Sequence, residues 1–184
     1  PGRGWCIAEA KNGYRVLVIN AMGNVHIEPV LDSPYSYIDR ALSEADGKYD
    51  IAVLDFHAEA TSEKLAFMHV FDGRLQIVFG THTHVPTADL KILPEGTGYI
   101  TDLGMTGPVE SVLGIRPEQS VETFLGGLPG RYRVAGGPCK MQCAIFALDS
   151  DTGLPRTDGS MSERHFTWRP SMEKMLEQDV KVDF

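Results

Sequence analysis

Three cysteines, Cys6, Cys139 and Cys143, are too few and too odd in number for a disulfide framework. That scarcity suits a reducing, cytoplasmic setting. Cys139 and Cys143 share a strand face, but two sulfurs alone do not complete a tetrahedral metal site, so free thiols are expected. No apolar stretch approaches the ~20 residues that span a bilayer, and Pro-Gly-Arg-Gly-Trp-Cys at the start has no signal-peptide profile. Basic residues are in deficit: 17 Lys and Arg against 25 Asp and Glu leave a net charge of −8. Such a chain is poorly suited to long nucleic acid, which needs clustered Lys and Arg. A small phosphate ester stays within reach if metal cations supply the positive charge.

What is present is a chain of 184 residues, 42% hydrophobic, enough for one domain with a real core over 1–184. Asn12-Gly13 between Trp5–Ala10 and Tyr14–Asn20 predicts a hairpin. The apolar run Arg15–Ile19 predicts a strand covered on both faces. Ser36–Ala45 reads as a helix with Ile38, Ala41, Leu42 and Ala45 along one side. Tyr49–Phe56 is a buried strand ending at His57, Ser62–Phe71 a helix, and Leu75–Phe79 a second buried strand ending at Gly80. Strand, helix, strand predicts a parallel pair. Loops, a short strand at Tyr99–Thr101 and a helix at Pro117–Leu125 follow. Antiparallel strands are expected at Tyr132–Val134, Cys139–Asp149 and Ser162–Trp168, then a charged tail, Met172–Phe184, short helix or frayed. The class is α/β.

Two histidines stand just past the second buried strand, in Gly80-Thr81-His82-Thr83-His84. In extended backbone, residues i and i+2 face one side, so both imidazoles can address one cavity. His57 ends the neighbouring parallel strand at the same edge, where α/β sheets bind ligands. His57, His82 and His84 are therefore the candidate metal ligands, imidazole suiting Zn, Fe and Mn-type ions. His26, His69 and His165 show no such convergence and read as surface or packing residues. Asp55 has two readings: a partner orienting an imidazole, or a strand-end acid bonded to backbone N–H groups. Glu59 is near enough to be a ligand or base but reads better as a solvated loop acid, and Asp89 and Asp102 read as local caps. Three imidazoles could hold one zinc; a two-metal centre needs a bridging carboxylate that is not evident.

Three runs of this chain, Asp55-Phe56-His57-Ala58-Glu59-Ala60-Thr61-Ser62-Glu63-Lys64, Gly80-Thr81-His82-Thr83-His84-Val85 and Tyr99-Ile100-Thr101-Asp102-Leu103-Gly104-Met105-Thr106-Gly107-Pro108, with Thr87-Ala88-Asp89 and Ile92-Leu93-Pro94, resemble the calcineurin-like metallophosphoesterases of the YmdB type. The resemblance runs from Pro1 to about Phe166. It implies a mixed two-sheet sandwich flanked by helices, an αββα arrangement. It implies hydrolysis of small phosphodiesters, 2′,3′-cyclic nucleotides foremost, by a water activated between two metal ions, iron with manganese as alternative. By motif, His57 and His82 would hold one ion and His84 the other. Family members begin with Gly-Asp-Val-Val-Gly, then Gly-Glu-Asn and Gly-Asn-His. These supply an Asp, the bridging Glu, two Asn ligands and the general-acid His, and none occurs here. A truncated N-terminus is thus expected, with no catalytic residue in this chain and the competent enzyme being the longer parent. The partners implied are a small phosphodiester or cyclic nucleotide, with no long nucleic acid and no membrane; a homo-oligomer stays open. Two competing readings are an amidohydrolase, for which eight βα units would not fit, and a non-catalytic metal- or nucleotide-binding fragment.

Overall fold

The computed structural model describes residues 2–28, 32–128 and 130–156, and the backbone of 162–168. The His165 side chain and the tail Met172–Phe184 lie outside the described residues. Two compact units form within what reads as one domain: Pro1–Gly104 with Ala144–Glu163, and Met105–Cys143 with Arg164–Asp183.

The first unit begins with the predicted hairpin. Gly13 takes φ +88°, which only glycine adopts cheaply, and Ala10 N–H donates to the Tyr14 carbonyl across the turn. Strand β1 (Trp5–Glu9) thereby pairs antiparallel with β2 (Arg15–Met22). Next come α1 (Pro34–Ala45), β3 (Ile51–His57), α2 (Thr61–Phe71) and β4 (Ile77–Thr81). Helix α1 starts two residues earlier than the periodicity suggests, because Pro34 suits the first helical turn. Within the stretch read as loop, β5 (Lys91–Ile92) pairs antiparallel with β6 (Gly98–Ile100). The mixed sheet runs β1-β2-β3-β4-β6-β5, with β2, β3, β4 and β6 parallel.

Alternation along β2 and β3 buries Leu17, Ile19 and Ala21 with Ala52, Leu54 and Phe56. The same core takes Ile38, Ala41 and Ala45 of α1 and Phe67, Met68 and Phe71 of α2, so both helices cover one sheet face. Phe56 stacks on Phe67 at 4.2 Å and Phe67 on Phe71 at 4.4 Å, pinning α2 over the end of β3. Each such pair contributes about 0.5–1.5 kcal/mol beyond its area burial. The expectation that β2 is covered on both faces is not met. Its buried positions alternate, and Val18 is 40% exposed. The apolar run reflects β-propensity beside an edge hairpin rather than double burial.

The second unit carries β7 (Gly107–Pro108), paired antiparallel with β8 (Cys139–Ile145), of which it holds Cys139–Cys143; the sheet is ordered β7-β8-β9, with β9 at Ser162–Trp168. It also holds α3 (Pro117–Phe124). The strand expected at Tyr132–Val134 is a single bridge from Ile115 to Val134; Gly136 and Gly137 follow at once and do not favour extending the ladder. Among the described residues no helix is long and apolar enough to cross a membrane.

Candidate active site

Parallel register does the first part of the positioning. Asn20, Asp55 and Phe79 are aligned across β2, β3 and β4; two residues on, Met22, His57 and Thr81 are aligned on the same face. Asn20 Nδ2 donates to Asp55 Oδ2 at 2.9 Å, and Thr81 Oγ1 donates to Asp55 Oδ1 at 2.7 Å. With its proton given to Asp55, the Thr81 hydroxyl can only accept from His57 Nδ1, 3.0 Å away. His57 is then the Nδ1–H tautomer, assigned from this network, and its Nε2 carries a lone pair, able to accept a hydrogen bond or to meet a cation. Of the two sequence readings of Asp55, the structure favours the orienting one.

Nε2 of His57 faces Nδ1 of His82 at 3.0 Å, the rings meeting edge to face at 4.8 Å. Partial burial, reinforced by the neighbouring His82, holds the His57 pKa below its ordinary value of 6.5. On the opposite side of its ring, His82 Nε2 lies 3.0 Å from Glu59 Oε2. Glu59 is exposed, as expected of a solvated loop acid, and it also touches the site through His82. These groups form a line, Glu59–His82–His57, and do not converge on one point, because His82 spends a different nitrogen on each neighbour.

The backbone departs from the extended geometry on which the His-x-His spacing rests. His82 has φ 111° and His84 φ 64°, both left-handed values costing on the order of 1–3 kcal/mol each for non-glycine residues. His84 is exposed. Among the described residues no group of three or more His, Cys, Asp or Glu is arranged to hold a metal ion. The His57–His82 pair fits a cation as two facing imidazole donors oriented through a hydroxyl and a carboxylate. It is a partial ligand set.

The groups that hold this edge go beyond the local capping expected of Asp102. Lys64 Nζ and Asp102 Oδ2 form a 2.8 Å ion pair with side chains 2% and 1% exposed. Asp102 also accepts from Thr83 N–H at 3.2 Å and Gly104 N–H at 2.9 Å. Glu63 accepts from Asn24 N–H at 2.8 Å and Val25 N–H at 3.3 Å, tying the loop after β2 to α2. Asp89 does cap locally, accepting from Thr87 Oγ1, Thr101 N–H and Thr101 Oγ1. No local pattern marks Lys64, which follows Thr61, Ser62 and Glu63 in the polar first turn of α2.

A mixed α/β sheet with oriented imidazoles at the carboxyl ends of two parallel strands defines the class. The profile of the YmdB-like protein family matches residues 1–157, and the chain belongs to that family. It is 45% identical over 152 residues to the 2′,3′-cyclic-nucleotide 2′-phosphodiesterase of Bacillus subtilis (strain 168), covering 83% of this chain and 57% of the relative. A solved structure of a hypothetical protein from Thermus thermophilus superposes with TM-score 0.79 at 38% identity, over 92% of this chain and 63% of that one. A novel phosphatase from Mycoplasma pneumoniae does so with TM-score 0.79 at 34% identity, over 96% and 60%. The chain spans less than two thirds of each of these relatives.

Proposed function

We propose that this chain is part of a metal-dependent phosphodiesterase of small phosphodiesters, with 2′,3′-cyclic nucleotides the favoured substrates. The observation that carries the reading is the Asn20–Asp55–Thr81–His57 relay, which leaves His57 Nε2 unprotonated and directed at His82 Nδ1. Imidazoles that hold metals are commonly oriented this way through the other ring nitrogen. His57 and His82 would hold one ion and His84 the other, iron or manganese, and such ions would supply a Lewis acid and an activated water for attack on phosphorus. The name of the Bacillus subtilis relative supports the substrate class. A net charge of −8 adds that an anionic ester needs local cations to be held here.

The chain's own residues orient rather than transfer protons. Asp55 and Thr81 keep His57 in one tautomer, and Glu59 draws His82 outward. A second reading, a non-catalytic metal- or nucleotide-binding fragment, is favoured by the incomplete donor set. Both are tested with the product of the complete reading frame: metal content by elemental analysis and hydrolysis of 2′,3′-cyclic AMP, for wild type and His82→Ala. The enzyme reading expects metal and turnover to fall together. Binding without turnover in wild type favours the fragment reading, and full metal with full turnover in His82→Ala overturns the ligand assignment.

A further inference from the structure

We infer that Asp102, held in place by Lys64, is a positioning residue that keeps the His82–His84 loop in its strained conformation and so seats His82 against His57. The loop contains two left-handed non-glycine residues, His82 and His84, one on each side of Thr83. Such backbone persists only where its surroundings over-determine it. Thr83 N–H, between the two, donates to Asp102 Oδ2. The same oxygen accepts from Lys64 Nζ, and the other carboxylate oxygen accepts from Gly104 N–H. Backbone bonds hold Asp102 itself from its other side: Thr87 Oγ1 receives Asp102 N–H at 2.9 Å, and Thr87 N–H donates to the Asp102 carbonyl at 3.0 Å.

The strength of the anchor follows from its burial. A charge-assisted hydrogen bond in a site closed to water is stronger than a neutral, solvated one. A lone carboxylate at 1% exposure would be costly, and Lys64 compensates it from the first turns of α2. Because α2 is pinned by Phe67 to Phe56, the residue just before His57 at the end of β3, loop and strand end are referenced to one rigid helix. Gly80 completes the fit, since a Cβ there would meet the Lys64 stem and the Thr101 carbonyl. For its functional consequence the inference rests on the proposed ligand roles of His57 and His82, whereas the loop geometry stands apart from them.

The test uses three variants of the full chain: Lys64→Met, Lys64→Met with Asp102→Asn, and Lys64→Met with Asp102→Ala. The double variants carry no buried unpaired charge, so they keep the fold. NMR reads amide exchange at Thr83 against Leu54 and Val78, together with ring contacts between His57 and His82. Loss of the acceptor in the Ala double variant should speed Thr83 exchange at least about tenfold and abolish the ring contacts, with Leu54 and Val78 unchanged. The Asn double variant, which keeps an acceptor oxygen, should restore both. Lys64→Met alone keeps the acceptor but leaves a buried charge without its cation, so it should melt below the Asn double variant; an equal or higher midpoint would remove Lys64 from the anchor. Unchanged Thr83 exchange in the Ala double variant overturns the inference, as does an equal rise at Leu54 and Val78, which marks a general structural role. Failure of metal uptake in wild type would sink the functional proposal and leave these loop measurements standing.

Discussion

Replacing Gly80 with alanine adds one methyl group at the most crowded backbone position of the site. Gly80 is not among the left-handed glycines, so alanine faces no φ penalty and the cost is purely one of space. A Cβ there falls on the Thr101 carbonyl oxygen, lies 2.8 Å from the Thr101 carbonyl carbon and 3.0 Å from Lys64 Cδ. The lysine stem can bend, but the Thr101 backbone cannot easily retreat. Leu103 N–H is bonded to the Gly80 carbonyl at 2.9 Å, and β4 is paired with β3 on its other side through Phe56. Overpacking costs about 1–3 kcal/mol, and a backbone obstacle places this case near the top of that range. For a chain of this size each kcal/mol lowers the midpoint by about 2–4 °C, so a fall of about 6–12 °C is expected. The assay is thermal unfolding followed by Trp5 fluorescence in a Trp168→Phe background, so that only the first unit reports. Gly2→Ala, in the same unit, is the control, because nothing lies within 4 Å of that Cβ and its φ is not left-handed; it should stay within about 0.5 kcal/mol of wild type. Equal stability of the two alanine variants would refute the reasoning.

Thr81→Val keeps the shape but removes the hydroxyl between Asp55 and His57, so His57 should lose its single tautomer. Ring nitrogen shifts of His57 read this directly, and Mn(II) affinity by calorimetry should fall about 10–100-fold; a preserved Nδ1–H tautomer with unchanged affinity would remove Thr81 from the relay. The exposed Asp50 carboxyl is drawn down from 3.8 to about 2, chiefly by its hydrogen bond from Arg15. Its stabilising contribution is therefore complete above pH 3.8 and lost as pH falls through about 2. Carboxyl NMR should find that low midpoint, and Arg15→Ala, which keeps the backbone N–H bond to Asp50, should raise it toward the ordinary carboxylate range; a midpoint still near 2 in the variant would exclude the Arg15 side chain as the cause.

Local chemistry alone was enough to place most elements. Asn12-Gly13 encodes its turn in two residues, and the apolar runs of β3 and β4 and the one-sided spacing of α1 arise from neighbours in the chain. The arrival of His57 and the Gly80–His84 segment at one sheet edge followed from strand, helix, strand connectivity. Even the family was carried by contiguous runs such as Gly80-Thr81-His82-Thr83-His84.

Tertiary structure decided what those histidines can do. Asn20, Asp55 and Thr81 become one relay only through strand register, which brings together residues 35 and 26 positions apart. Lys64 and Asp102 meet across 38 positions in an ion pair whose worth comes from burial, a property no local pattern encodes. The left-handed turns at His82 and His84 replace the extended geometry that spacing suggests, because long-range bonds to Asp102 outweigh the local preference of the backbone. Periodicity reports which face a residue occupies, whereas the direction of a ring and the charge beside it are set by chains of contact that close only on folding.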